Sequence, residues 1–236
     1  MNRITKVIVA AALVLAVIGI AAFLYLTRPL AAASQDVQAS AEVLEVNAEA
    51  AEEAGVYRIS QAQSSVQFEI DEVLSGVDTH VVGTTSEVAG DILINFSDPP
   101  ASEIGDISIN ARTFVTDNDR RNAAIGRFIL QSEDDANQFI TFSPADITSL
   151  PEVILVGDTL EFQVTGDLTI AGTTSSVTFD VTASLNEDDQ LRGTATATVL
   201  YSDFGIAIPN VPSVTSVSDE VVLTIHFLAE RVMETE

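Results

Sequence analysis

The chain has 236 residues, 47% of them apolar, enough to supply the core of one ordinary domain. It carries 35 Asp and Glu against 10 Lys and Arg, and a formal charge of -25 repels phosphate backbones, so the folded domain is not expected to bind nucleic acid. The absence of cysteine excludes disulfides, thiolate metal sites, thiol nucleophiles and a lipid-modified N-terminal cysteine.

Residues 1–30 read as a membrane segment. Arg3 and Lys6 precede an uncharged run from Val7 to Leu26, about 20 residues, the length a helix needs to cross the hydrocarbon layer. Signal-peptide cores are shorter, at about 7–15 residues. Tyr25 and Arg28 stand where interfacial anchors belong, and Pro29 stops the helix. Positive charge before the run and acidic chain after it predict an N-terminal transmembrane helix with the rest outside the cytoplasm. The competing reading is cleavage near Ala31-Ala32-Ala33-Ser34 and secretion. Residues 31–55 are rich in Ala and Glu without a positive charge. That composition reads as an acidic linker unable to bury a core.

From residue 56 to 236 the period changes to two. Val66, Phe68 and Ile70 alternate with polar residues, as do Ile92, Ile94 and Phe96; Ile107 and Ile109; and Phe139 with Thr141. The pattern returns at Leu160, Phe162 and Val164, at Val177, Phe179 and Val181, and at Leu223, Ile225 and Phe227. Such alternation predicts strands with one dry face. Turn residues at 156–159, 171–174 and 186–189 separate successive strands and favour antiparallel neighbours. An all-β barrel or sandwich follows, since both solve the problem of exposed edges.

Residues 116–131 break the period and predict a short inserted helix, capped by Asp117 or Asn118, that lids one end. Residues 191–200 are small, with Ala195 and Ala197 between threonines, and leave space inside a barrel. The 202–219 loop is long and carries apolar tips, more than a plain connection needs.

Several segments, in order, resemble the YceI-like family of exported lipocalin-like barrels. They are YRISQAQSSVQFEI from Tyr57, resembling the family's first hairpin, VVGTTSEVAGDI with Gly83 and Gly90 at the expected bends, and ISINARTFVTDNDRRNAAI running into an Arg-bearing helix. FITFSPADI follows, then VTGDLTIAGTTSSVTFDV with Gly166, Leu168, Thr169, Ile170 and Gly172 in register, then SDFGI at 202–206. The resemblance covers Tyr57 to Arg231. Where many members place His-Ser this chain has Ser64-Ser65, and where many have Arg-Asp it has Arg121-Asn122.

The resemblance implies an eight-stranded antiparallel barrel around an elongated apolar cavity. It also implies binding of polyisoprenoids or related lipids, and no catalytic constellation or cofactor. The inward-alternating candidates for the cavity wall are Phe68, Ile70, Ile94, Ile109, Phe142, Phe162, Val164, Phe179, Ile225 and Phe227. The simpler alternative is that they fill a solid core and the domain docks a partner at the cell surface.

Four of the arginines, Arg112, Arg120, Arg121 and Arg127, crowd one stretch of an acidic chain. Either they meet a polar headgroup at the cavity mouth, or they form a solvated helix face paired with nearby acids. His80 and His226, the only histidines, are too few for a zinc site, and His226 takes the outward slot beside Ile225 and Phe227. NEDDQ at 186–190 lacks calcium-loop spacing and reads as an acidic turn. No G-x-S-x-G, Walker or GxGxxG motif is present, so the reading is non-enzymatic. The expected partners are an apolar lipid-like molecule and the membrane, with a homodimer left open.

Overall fold

The computed structural model describes residues 15–21, 24, 36–41, 43–44, 54–209 and 214–232. The chain divides into two units, residues 1–30 and 31–236. In the first, residues 15–21 and Leu24 are helical, with Leu15, Val17, Ile18, Ile20 and Leu24 exposed. Among the described residues no helix is long and apolar enough to cross a membrane. The rest of the expected span, Val7 to Leu26, lies outside the described residues.

The second unit is a curled antiparallel half-barrel with few helices. In chain order its strands are β1 (Ala54–Ile59), β2 (Ser65–Leu74), β3 (Val77–Thr85), β4 (Val88–Ala89), β5 (Asp91–Asn95), β6 (Glu103–Ile104) and β7 (Ile107–Asn110). They continue as β8 (Phe139–Thr148), β9 (Thr159–Ile170), β10 (Thr173–Leu185), β11 (Gln190–Leu200), β12 (Val214–Val217) and β13 (Glu220–Arg231).

Eight strands were expected and the sheet has thirteen. The excess comes from breaks inside long strands, which periodicity alone does not register. A 3₁₀ turn at Gln61–Gln63 divides β1 from β2, yet both pair with β13. Ser86, Glu87 and Gly90 divide β3, β4 and β5, which pair with β2, β7 and β1 respectively. β12, from the long late loop, adds itself to β2.

Between the breaks the ladder is regular. β8, β9, β10, β11 and β13 each pair with the next, antiparallel. On β10 the inward residues Val177, Phe179, Val181, Ala183 and Leu185 are all buried, while Thr178, Asp180 and Thr182 between them are exposed. On β8 the dry face carries Ile140 and Phe142, not Phe139 and Thr141. Two hairpins close with two residues each. At Ala171-Gly172 both φ angles are positive, 48° and 77°, and at Ser75-Gly76 they are 52° and 81°. These turns match the right-handed twist of the strands they join, and glycine takes the second position without a Cβ penalty.

Two features shape the wall. A Cβ on Gly83 would overlap the ring of Phe68, its cross-strand partner, and one on Gly193 would overlap the ring of Phe227, its partner in β13. Each ring therefore lies against backbone instead of across the interior. At the start of the sheet Asp91, 1% exposed, accepts from Nε and an Nη of Arg58 at 2.9 and 2.8 Å. It also accepts from the Leu44 backbone N–H at 3.2 Å. Val37, 1% exposed, and Ser40, whose carbonyl accepts from Ser108, lie on the same wall. Two short pieces of the expected linker are thus held against the sheet.

Candidate functional site

The curl encloses two spaces. The larger, about 1240 Å³ including its open mouth, is bounded by Phe68, Ile70 and Ile109 of the wall and by Phe114, Ile125 and Leu130 near the inserted helix. We call it the helix-side chamber. The smaller, about 860 Å³ on the same measure, lies toward the β8–β9 loop and includes Ile94, Phe162, Val164 and Phe227. We call it the loop-side chamber. Phe142, Phe179 and Ile225 belong to both. All ten apolar candidates therefore line the interior, because side chains two apart on a strand share a face.

Aromatic pairs brace each region. Phe68 and Phe114 hold their ring centroids 5.5 Å apart at 55°. Phe142 and Phe179 meet edge to face, 5.0 Å apart at 72°. Such pairs contribute about 0.5–1.5 kcal/mol beyond simple burial.

The polar groups are unevenly placed. Gln67, Glu72, Arg121 and Tyr201 border the helix-side chamber, whereas Ser102 and Glu103 border the other. Glu72 continues the inward slots of Val66, Phe68 and Ile70 on β2, so its parity in the sequence already marks it as an inward acid. Arg121 reaches it from the Asp119–Ala124 helix, whose first amides bond to the side chain of Asn118. The Arg121–Glu72 contact is 2.9 Å, with side chains 16% and 13% exposed, and Arg121 also bonds Asp117. This end thus holds one cation against two carboxylates.

The other three arginines do not line either chamber. Arg112 is buried and ties β7's end to the loop before β8. It donates to the Ser132 carbonyl, to Gln138 Oε1 at 3.0 Å and to Asp135 at 2.7 Å. Arg127 sits in the π turn at Ile125–Ile129 and donates to Glu133 at 3.0 Å. Arg120 is exposed on the helix. Crowding in sequence does not become crowding in space, because a 3₁₀ turn at Ala111–Thr113, the helix and the π turn aim their side chains differently.

His80 lies on the outer face, bonded to Asp71 at 2.7 Å and Glu69 at 3.0 Å. The bond to Asp71, then that to Glu69, raises its pKa above the ordinary histidine value. His226 is exposed and contacts Thr194 at 3.1 Å. Among the described residues no group of three or more His, Asp or Glu is arranged to hold a metal ion. In the 186–190 turn, Asn186 accepts from the amides of Asp188 and Gln190, and Asp189 accepts from the buried Tyr57 hydroxyl at 2.6 Å. Burial, then that bond, push the Tyr57 phenol far above its usual pKa.

Sequence reasoning passed over Leu150, Ile154, Ile206 and Ile208, which also line the chambers. They sit in irregular segments where no period marks an inward side.

A family model described as YceI-like domain matches residues 57–229. Comparison with curated proteins finds no match. Among solved structures, BcnA of Burkholderia cenocepacia superposes with a TM-score of 0.55 at 19% identity, covering 72% of this chain and 98% of its own. A polyisoprenoid binding domain from Saccharophagus degradans, implicated in plant cell wall breakdown, gives 0.57 at 13% identity, covering 75% of this chain and 98% of its own. A mutant Campylobacter jejuni YceI protein with a monobromobimane guest gives 0.52 at 17% identity, covering 64% of this chain and 85% of its own. At these identities the likeness is one of fold.

Proposed function

The chain belongs to the YceI-like family, and on that premise we propose that it holds a long apolar molecule, an isoprenoid, quinone-like or fatty chain, and carries it without chemical change. The observation that carries this reading is the interior: two adjoining apolar spaces with open mouths, ringed by aliphatic and aromatic side chains. Burying hydrocarbon there contributes about 25 cal/mol per Å² before the entropic costs of binding. The likeness to a polyisoprenoid binding domain supports the same class of ligand.

In this reading the wall acts as a closed barrel, since pairing passes from β2 to β3 and, after two residues, from β4 to β7. The ligand's polar end lies by Arg121 and Glu72. With Asp117 also on Arg121, that end favours an uncharged head, such as a hydroxyl or carbonyl, over a phosphate. An open interior supports the carrier reading over a solid-core docking domain.

The location belongs to the same proposal. The apolar run from Val7 to Leu26 anchors the chain in the cell membrane, with the domain on the extracytoplasmic side; cleavage near Ala33 would release it instead. The domain then lies in the periplasm or at the cell exterior, so protease added to cells freed of any outer membrane and wall should remove it, and protection of the full-length chain there would place it in the cytosol.

The test of function is to purify the full chain from a membrane-containing host, extract it with organic solvent and weigh what is released. A near-stoichiometric apolar mass is expected. A chain that yields none and refuses added isoprenoids and fatty acids would shift the weight to a docking role.

A further inference from the structure

The two chambers meet at three side chains, Phe142 on β8, Phe179 on β10 and Ile225 on β13. Neither ring is loosely placed. Phe142 stands across from Leu168, with its ring tip 2.9 Å from where a Cβ on Gly166 would lie, and Phe179 stands across from Val164. Their edge-to-face contact lies where the chambers adjoin.

The ends differ in kind. The helix-side chamber has Gln67, Glu72, Arg121 and Tyr201 to meet a polar head. Beyond the rings, the inner wall of the loop-side chamber is built from side chains such as Leu160, Val181, Leu191 and Ala195, which discriminate only by fit. Phe142, Phe179 and Ile225 line both chambers, so a ligand whose head sits by Arg121 meets these rings where its tail enters the second chamber.

We infer that the Phe142–Phe179 pair is a gate that sorts apolar ligands by length. This rests on the carrier reading above. Short tails end at the rings and occupy the helix-side chamber alone. Long tails displace a ring, fill the loop-side chamber and gain further apolar burial. Affinity then rises with chain length in two steps separated by a plateau, instead of smoothly with each added carbon.

The experiment uses the full chain and prenyl alcohols of 15, 20 and 45 carbons: farnesol, geranylgeraniol and solanesol. Ala195→Phe fills the loop-side chamber, and Phe179→Leu opens the gate while keeping it apolar. Thermal unfolding is recorded for both variants. With Ala195→Phe, solanesol should weaken by about tenfold or more while farnesol changes by less than about twofold, because only the long tail loses buried surface. With Phe179→Leu, which also alters the helix-side wall, solanesol should associate about 3- to 10-fold faster relative to farnesol than it does in the unaltered chain, because a packed ring pair no longer has to move for the long tail.

Unchanged solanesol affinity in a folded Ala195→Phe variant would overturn the gate, as would equal losses for both alcohols. If Ala195→Phe does not fold, an unchanged solanesol rate relative to farnesol in Phe179→Leu decides against it. If the unaltered chain binds none of the alcohols, the carrier reading falls and not merely the gate.

Discussion

The two ends of the interior are built by different means. The helix side is assembled from irregular chain held by charge: Arg112 secures the loop before β8, Arg127 holds Glu133, and Arg121 joins the helix to β2. The loop side is assembled from regular strands and apolar packing, with Ile94, Phe162 and Phe227 projecting inward from β5, β9 and β13. Ion pairs hold the helix-side mouth together, whereas apolar packing makes most of the loop-side wall, with Ser102 and Glu103 at its border.

The largest expected effect breaks the first end and spares the second. The Arg112 side chain is 2% exposed and Asp135, its ionic partner, 80% exposed, so most of its value lies in the buried bonds to Ser132 and Gln138. Arg112→Ala should cost about 3 kcal/mol, read by chemical denaturation, because buried acceptors lose their donor. A loss under 1 kcal/mol would mean that water replaces the guanidinium freely.

Next comes the wall between the ends. Gly83→Ala should cost about 1–3 kcal/mol by overpacking, with the Phe68 ring pushed into the helix-side chamber. Ligand occupancy measured by extraction should fall with it. Occupancy that holds steady while stability drops would show that the ring escapes outward.

Arg121→Gln is smaller. The pair with Glu72 is mostly but not wholly buried, so about 1–2 kcal/mol of stability is expected to go, discounted for the exposed Asp117. Preference for a prenyl alcohol over a plain alkane of equal length should shrink. An unaltered preference would remove Arg121 from head recognition.

The smallest effect lies outside the site. His80 has a folded pKa raised above its unfolded value of 6.5, so protonation stabilises the fold. That contribution is complete below pH 6.5 and fades as pH climbs through the raised value. An NMR titration of the His80 ring should give a midpoint above 6.5, and Asp71→Asn should lower it, since that bond is its largest cause.

Much of the interior was legible because a strand's parity is a physical constraint. Once Phe68 and Ile70 face in, so must Glu72, and the same rule places Phe179 with Val177 and Val181. The helix cap was legible to within one residue: Asp117 and Asn118 both fitted, and Asn118 is the one whose side chain accepts from the amides of Arg120 and Arg121. The strand breaks were not. YRISQAQSSVQFEI reads as a hairpin, yet Gln61–Gln63, with no Gly or Pro, forms a 3₁₀ turn and the strands on either side pair with β13 instead of with each other. Nor were the roles of the arginines, because a π turn reorients Arg127 relative to Arg121 in a way no helical period predicts. The β8–β9 loop supplies Leu150 and Ile154 without any repeat to count.

The glycines under the aromatic rings carry one more consequence. At Gly83 and Gly193 the ring is parked on the neighbouring strand's backbone, so the bore of the container is set by the absence of a methyl group. A change of calibre then needs no new strand, no altered register and no rebuilt loop. One added carbon at Gly83 meets only the Phe68 ring and narrows the helix-side chamber alone, whereas at Gly193 it also meets the Thr182 carbonyl of the neighbouring strand, so only the first end is adjustable by a single substitution.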